Sequence, residues 1–376
     1  MTARTALFAL GLLATALGAC KTKLGGSSSS TTSGLPSGAV PLPGLSYTPP
    51  PAPPPVLNAP AGIPASFADL AARCDPAVVF VKALQQGRRQ AMNEAVGTAF
   101  VFDPSGLILT NNHVIEHASE IRVIFGQKKD MPATVVGRDR PTDIAVLRVE
   151  ATGLAHVPLG DSSAVRVGDW AVAIGNPFGL SHTVSVGIIS AKGRTNQDVR
   201  GLDDSGYYDF LQTDASINPG NSGGPLLDVT GRAIGINTAI RPQANSIGFA
   251  VPIDMVKELL PRLLKDGRIR RSAIGVVVST VQGADVTRLR LPSETGALIR
   301  LVAPGGPADR GGLQPEDVIV GLGPDPILSP ERLRWVASLA GIGSKVPVRV
   351  IREGRPFEVT LELQALPEDP GRDEAP

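Results

Sequence analysis

QTDASINPGNSGGP, residues 212–225, is the stretch that says most about the fold of this 376-residue chain. In it, Ser222 follows Gly220 and Asn221 and precedes two further glycines. A serine that acts as a nucleophile must lie on a tight, exposed turn, and glycine permits both that turn and the approach of backbone N–H groups to a developing oxyanion. A glycine-rich turn between two strands has the same composition, so the motif alone favours the simpler structural interpretation.

Two other segments contain the groups that a nucleophilic serine requires. A hydroxyl near neutral pH needs an adjacent base, and LTNNHV (109–114) offers His113 at the end of an apolar run. The base needs a carboxylate that fixes its tautomer, and TDIAVL (142–147) offers Asp143 at the start of an apolar run. Taken singly, His113 is more simply a surface histidine, and Asp143 a strand-start residue. The three residues carry weight only together.

Their chain order and the strand pattern predict the fold class. The order His, Asp, Ser is that of the chymotrypsin type, whereas subtilisin-like and α/β-hydrolase triads run in other orders. From residue 67 onward, short β-rich runs alternate with Gly, Pro, Asn and Asp, which is typical of barrels and sandwiches. Helices are expected at residues 112–116 and 253–264. We therefore predict a mainly β fold, with a chymotrypsin-like double β-barrel over residues 66–266.

Composition and the first residues limit the partners and the location. The chain has 36 Lys and Arg against 35 Asp and Glu, so no basic field argues for nucleic-acid binding. Residues 1–20 contain a short apolar run followed by LGAC, which is typical of an export signal and is similar to a bacterial lipobox. We expect cleavage before Cys20, acylation of its sulfur and anchoring to a membrane. An ordinary cleaved signal is the alternative.

Two low-complexity segments flank the expected domains. Residues 21–65 are rich in Ser, Gly, Thr and Pro, so they are predicted to be a disordered spacer, and residues 366–376 a flexible tail. Cys74 is the other of the two cysteines. We expect it to be a small buried residue and not a nucleophile, because nothing near it in the sequence supplies a base.

The three chemistry-bearing segments resemble those of the HtrA/DegP family of trypsin-like serine proteases, over about residues 67–365. The resemblance implies that His113 is the general base, Asp143 its orienting group and Ser222 the nucleophile. It also implies an oxyanion hole and a substrate pocket. The oxyanion hole would be formed by Gly220, Asn221 and Ser222, and the pocket by Ser216, Ile217, Asn237, Thr238 and Ala239. Ser216 lies six residues before the nucleophile, where an acid would select Lys or Arg, so a shallow apolar pocket is expected.

A metalloprotease is the rival interpretation of one segment. HVIEH (113–117) fits the H-x-x-E-H pattern, and two histidines four residues apart on a helix could both bind zinc. That interpretation leaves Asp143 and the Ser222 turn without a role. No metal and no cofactor are therefore expected.

Residues 271–365 are predicted to form a second, β-rich domain with short helices. The segments SAIGVV (272–277), GALI (296–299) and GGLQPEDVI (311–319) resemble those of a PDZ domain. In that fold, a peptide adds a strand to a sheet edge and its terminal carboxylate binds backbone N–H groups. The resemblance implies a peptide site at Ala273, Ile274, Gly275 and Val276. A plain β-domain is the alternative.

These inferences together predict a serine endopeptidase of the bacterial envelope that cleaves unfolded or mislocalised proteins. Peptide C-termini are expected to bind the PDZ domain and to regulate cleavage. The alternative is a chaperone-like or peptide-sensing binding protein with latent protease activity. A homotrimer is expected only because relatives commonly form one.

Overall fold

The computed structural model describes most of the chain beyond residue 65. The described ranges are 40–41, 66–86, 92–126, 129–176, 183–199, 202–203, 205–218, 220–238 and 247–367. Within them, no helix is long and apolar enough to cross a membrane. The predictions for the export signal and Cys20 fall outside the described residues, as do those for 368–376. The first element is a two-residue strand, β1 (Val40–Pro41).

A short helix and a closed six-stranded barrel follow. The helix is α1 (Ala68–Cys74), and the strands are β2 (Val78–Gln86), β3 (Met92–Asp103), β4 (Leu107–Thr110), β5 (Glu120–Phe125), β6 (Lys129–Asp139) and β7 (Ile144–Val149). They close in the order β2-β3-β4-β7-β6-β5. Apolar side chains such as Phe100, Ile108 and Leu147 fill the interior and are fully buried. Cys74 is buried, as predicted, and burial raises the pKa of its thiol, although the charge of Arg73 opposes this.

The second barrel also has six strands. They are β8 (Trp170–Gly175), β9 (Thr183–Arg194), β10 (Phe210–Thr213), β11 (Pro225–Leu227), β12 (Ala233–Thr238) and β13 (Gly248–Pro252), closed in the order β10-β13-β12-β11-β8-β9. Its core is built from small and branched residues, among them Ala171, Leu226 and Ile234. Two closed antiparallel barrels confirm the predicted chymotrypsin-like architecture.

Two helices complete this domain. The first, α2 (Asn112–Ile115), lies between β4 and β5 and is one residue shorter than predicted. The second, α3 (Ile253–Asp266), extends two residues beyond the predicted end and stops at Gly267, whose φ of 71° only glycine adopts readily. Its buried face carries Val256, Leu259 and Leu263, which confirms the apolar spacing in the sequence.

The remaining residues form a separate β-rich domain. Its elements are β14 (Ser272–Ala273), β15 (Val276–Thr280), α4 (Gly283–Leu289), β16 (Ala297–Val302), α5 (Pro307–Arg310), β17 (Val318–Leu322), β18 (Asp325–Pro326), α6 (Pro330–Leu339), β19 (Lys345–Arg352), β20 (Arg355–Glu362) and β21 (Gln364–Ala365). The main sheet has the order β1-β20-β19-β17-β16-β15, with β18 beside β17, and β14 pairs with β21. Strand β15 is therefore one edge of the sheet.

The opposite edge of this sheet is covered by β1, where Val40 pairs with Glu358 and Pro41 with Phe357. The sequence predicted no regular structure between residues 21 and 65, and the structure differs at these two positions. Backbone groups on an edge strand can pair with any extended segment, whatever its side chains, so amino-acid composition does not predict such a contact.

Side chains join the two folded domains. The guanidinium of Arg271 forms two hydrogen bonds, of 2.6 and 2.7 Å, with the carboxylate of Asp139 at the end of β6. Trp335 of α6 donates from Nε1 to Glu258 of α3 at 2.6 Å. The second domain is thus held directly on the surface of the first.

Candidate active site

Asp143 and His113 form a directly bonded pair. The Nδ1 atom of His113 lies 2.7 Å from Oδ2 of Asp143, and the backbone N–H of His113 donates to Oδ1 at 2.9 Å. Because a carboxylate only accepts, Nδ1 carries the proton and Nε2 is left as the acceptor in the neutral ring. Thr238 donates its hydroxyl to Oδ2 at 3.3 Å. The carboxylate therefore fixes both the orientation and the tautomer of the imidazole.

The local backbone brings Asp143 to this position. A 3₁₀ turn, Arg140–Thr142, ends at Asp143, whose φ of 58° lies in the left-handed region. That conformation is strained for a residue with a Cβ. The Asp143 carbonyl compensates by accepting from the Asn112 N–H at 3.2 Å and from Nδ2 of Asn111 at 3.0 Å. The turn before β7 and the start of α2 are therefore locked together.

The environment of His113 alters its proton affinity in opposing ways. Burial lowers its pKa, but the hydrogen bond and charge of Asp143, aided by Glu116, outweigh burial and hold the pKa above its ordinary value. The side chain remains 45% exposed. A neutral imidazole with a raised pKa is a competent proton acceptor near neutral pH.

The predicted nucleophile lies on a glycine turn. Two turns follow one another here. The N–H of Asn221 donates to the carbonyl of Asn218 at 2.9 Å, and the N–H of Gly224 donates to the carbonyl of Asn221 at 3.0 Å, so Ser222 lies in the second turn. The third residue of the first turn, Gly220, has φ of 104°. A positive φ at the third residue of a turn favours glycine. Gly223 has φ of 87°, and a Cβ there would lie 2.0 Å from the carbonyl oxygen of Thr98. Ser222 is 6% exposed, and the positive φ values of Gly220 and Gly223, which lie close to it on either side, favour glycine.

Residues outside the turn hold it from two sides. Thr98 of β3 donates its N–H to the Ser222 carbonyl at 2.9 Å and its hydroxyl to the Gly220 carbonyl at 2.5 Å. On the other side, Asn237 of β12 accepts the Gly223 N–H at 2.9 Å, and its Nδ2 donates to the Pro225 carbonyl at 2.9 Å. The turn is thus bonded to both barrels.

The predicted pocket residues lie in different environments. Ser216 is exposed, and its carbonyl accepts from Ser185 Oγ at 2.9 Å and from Asn221 Nδ2 at 3.2 Å. Ile217 is half-buried, whereas Asn237 is fully buried and braces the turn. Thr238 is 4% exposed and bonds Asp143, and Ala239 is outside the described residues. Only the backbone and the exposed members are accessible to a ligand in this arrangement.

A cleft of about 350 Å³ opens beside the His113 and Asp143 pair. Tyr208, Phe210 and Leu202 also line it. The cleft is large enough for part of an extended peptide, and apolar and polar groups converge in it as in typical ligand sites.

The H-x-x-E-H segment does not form a zinc-binding helix. Helix α2 ends at Ile115, Glu116 is extended, and His117 has φ of 61°. The helical spacing that would bring His113 and His117 to one face is therefore absent. Among the described residues, no group of three or more His, Cys, Asp or Glu side chains is arranged to hold a metal ion.

Thr98 is a site residue that the sequence analysis did not identify. It lies in GTAFVF (97–102), where a single hydroxyl interrupts an apolar run, and it is fully buried. A buried polar side chain within a strand usually has a specific partner, and that is the one signal that could have identified it.

The four predicted peptide-site residues lie at the start of the second domain. Ala273 pairs with Gln364, and the carbonyls of Ile274 and Gly275 accept from Ala308 and Ala303, both at 2.9 Å. Val276 begins β15 at the sheet edge. The segment thus leads into an edge strand that is unpaired on its outer side among the described residues.

Comparison with known proteins agrees with this architecture. A model for a trypsin-like peptidase domain matches residues 97–236, and one for a PDZ domain matches residues 272–363. A protein named probable periplasmic serine endoprotease DegP-like, from Chlamydia pneumoniae, is 39% identical over 290 residues, which cover 76% of this chain and 58% of that protein. Its namesake from Pseudomonas putida (strain GB-1) is 39% identical over 287 residues, with 76% and 59% covered. The chain thus spans less than two thirds of the length of these curated relatives.

Solved structures are similar over nearly their whole length. The HtrA-type protease AlgW with tripeptide has a TM-score of 0.71 and 36% identity, covering 81% of this chain and 99% of that one. A serine endoprotease from Yersinia pestis has a TM-score of 0.61 and 33% identity, covering 81% and 100%.

Proposed function

We propose that this chain is a serine endopeptidase of the bacterial cell envelope. It belongs to the HtrA family of trypsin-like serine proteases with one PDZ domain. The observation that carries the proposal is the pairing of both Asp143 carboxylate oxygens with His113, together with the braced glycine turn of Ser222. The envelope location is supported by relatives that are named periplasmic.

Each side chain has one task in the proposed reaction. The Ser222 oxygen attacks the scissile carbonyl carbon while its proton passes to Nε2 of His113, since Nδ1 is engaged with Asp143. The N–H groups of Gly220 and Ser222, with Asn221 between them, stabilise the negative oxygen of the tetrahedral intermediate. When the C–N bond breaks, His113 returns the proton to the leaving amine. Water, activated by the same imidazole, then hydrolyses the ester on Ser222.

The proposed specificity is for small and medium apolar residues before the cut bond. Ser216 supplies no negative charge, and the nearby Asp214 accepts the backbone N–H of Ile188 at 2.7 Å, so its carboxylate is already engaged. Cleavage-site profiling should therefore find Val, Ala, Ile or Leu at this position. Cleavage mainly after Lys or Arg would contradict the assignment of the pocket floor.

Unfolded or mislocalised proteins are the proposed substrates, and peptide C-termini the proposed ligands of the PDZ domain. An unfolded chain offers extended backbone, which the open edge of β15 can pair with. Anchoring through Cys20 would leave the residues between Cys20 and β1, which pairs with β20, to span the distance to the folded domains. The lipid anchor and a homotrimer remain predictions.

The test is to compare the wild-type chain with the Ser222→Ala variant. Fluorophosphonate labelling should disappear, and casein cleavage should fall by about 10⁴- to 10⁶-fold, because the nucleophile is lost. Ser105→Ala, at an exposed turn between β3 and β4, is the matched control and should keep full activity. Persistent cleavage by Ser222→Ala would overturn the proposal. Labelling of wild type only after unfolded protein is added would favour the latent binding protein.

A further inference from the structure

All of the polar groups of Thr98 form hydrogen bonds, either with the turn that carries Ser222 or with residues packed beside Thr98. Its N–H and hydroxyl donate to the carbonyls of Ser222 and Gly220, at 2.9 and 2.5 Å. The same hydroxyl accepts the N–H of Asn176 at 2.8 Å, and the Thr98 carbonyl accepts from Thr110 Oγ1 at 2.8 Å. The residue is fully buried in β3 of the first barrel, whereas the turn belongs to the second.

The two accepting carbonyls flank one peptide group of the turn. Holding the Gly220 carbonyl fixes the plane of the peptide between residues 220 and 221, and holding the Ser222 carbonyl fixes the plane that follows Ser222. The peptide between these planes carries the N–H of Ser222, one of the two proposed oxyanion donors. Glycine has a wide choice of backbone angles, so the conformation of Gly220 depends on such outside contacts.

We propose that Thr98 is a positioning residue for the oxyanion hole, and that its hydroxyl sets the direction of the Ser222 N–H. The inference rests on the proposed function, because it requires Ser222 to be the nucleophile. Thr98 is fully buried, so it acts through the turn and not by direct contact with a substrate. Its effect passes through the Gly220 carbonyl, so it concerns stabilisation of the transition state and leaves substrate binding untouched.

Loss of the hydroxyl has a definite consequence. The Gly220 carbonyl and the Asn176 N–H would each lose this partner in a buried place, and the turn would shift to recover hydrogen bonds. Loss of an oxyanion donor itself costs about 10²- to 10³-fold in kcat. Here the donors remain but are misdirected, so we expect a loss of about 10- to 100-fold in kcat with KM changed by less than about 3-fold.

The experiment compares Thr98→Val, which keeps the shape and removes the hydroxyl, with Thr98→Ser, which keeps the hydroxyl. A short peptide substrate gives kcat and KM separately, and denaturant unfolding gives stability. The Val variant should lose kcat, and the Ser variant should stay within about 3-fold of wild type. Should the Val variant fail to fold, Thr98→Cys, with its weak donor, replaces it and must also lose kcat.

Ser162→Ala is the matched control. The Ser162 hydroxyl is also buried, donating to Asp254 Oδ2 at 2.9 Å and accepting the Asp254 N–H at 3.1 Å, away from the turn. It should lower stability and leave kcat unchanged. Unchanged kcat in Thr98→Val, or equal kcat losses in Thr98→Val and Ser162→Ala, would overturn the inference. Activity that survives Ser222→Ala would instead overturn the proposed function.

Discussion

Replacing Arg271 by methionine should sharply destabilise the joined domains. Its guanidinium and the Asp139 carboxylate meet in a two-bond geometry, and their side chains are only 7% and 3% exposed. Burial lowers the pKa of Arg271, but the hydrogen bonds and charge of Asp139, with Tyr207, outweigh burial and raise it, so the guanidinium keeps its charge in this buried place. Among the described residues, the variant would leave the buried Asp139 carboxylate with one side-chain partner, the hydroxyl of Thr142 at 2.6 Å.

The expected loss follows from these contacts. Removing one member of a buried ion pair costs about 3–5 kcal/mol, because the other charge is left uncompensated. The Arg271 guanidinium also lies 4.5 Å from the centre of the Tyr207 ring, and losing that cation–π contact adds about 1 kcal/mol. The double variant Arg271→Met with Asp139→Leu removes both charges, and it should recover most of the stability.

Denaturant unfolding followed by tryptophan fluorescence measures this effect. The chain has two tryptophans, Trp170 in the second barrel and Trp335 in α6 beside the domain contact. Coincidence with circular dichroism tests whether the transition is two-state. Arg148→Met, at a pair that is 49% exposed on the arginine side, is the control and should cost less than about 1 kcal/mol. Equal losses of stability in Arg271→Met and Arg148→Met, or no recovery of stability in the double variant, would refute the reasoning.

Three further outcomes are expected. Asp143→Asn removes the charge that helps hold the pKa of His113 above its usual value, so the pKa should fall. Because the imidazole acts as a base only when it is neutral, the acid limb of the pH–rate profile should move to lower pH, and kcat should fall by about 10⁴-fold. Gly223→Ala should abolish fluorophosphonate labelling, because φ is 87° and the new Cβ would lie 2.0 Å from the Thr98 carbonyl; a labelled, stable variant would contradict this. A peptide with an apolar free C-terminus should bind the full chain several-fold more tightly than its amide, as titration calorimetry would measure, and equal affinities would remove the proposed carboxylate loop near β15.

The fold and the candidate catalytic residues could be predicted because the chemistry requires particular residue types, and these residues occur in a characteristic order along the chain. A base, its carboxylate and a serine on a glycine turn leave few alternatives, and their chain order selects the double barrel. The helix at 253–264 was predictable because its buried face repeats with the helical period. Local signals of this kind do not depend on distant contacts.

The contacts that shape the site depend on tertiary packing and were not predictable. Thr98 and Gly220 are 122 residues apart, and no local pattern links them. The left-handed φ of Asp143 is likewise accompanied by hydrogen bonds to its carbonyl from Asn111 and Asn112, which lie about 30 residues away along the chain. Asn237 was predicted from family resemblance to line the pocket, but the structure buries it fully against the turn.

Hydrogen bonds cross between the barrels in both directions at the site. From the first barrel, Thr98 bonds the turn that carries Ser222, and from the second, Thr238 bonds the carboxylate of Asp143. Since His113 and Asp143 belong to one barrel and the turn to the other, their relative placement depends on how the barrels dock. A change in the docking of the barrels would alter the geometry of these contacts, because both span the same junction. The geometry proposed for catalysis is therefore a property of the docked pair of barrels, and neither barrel alone specifies it.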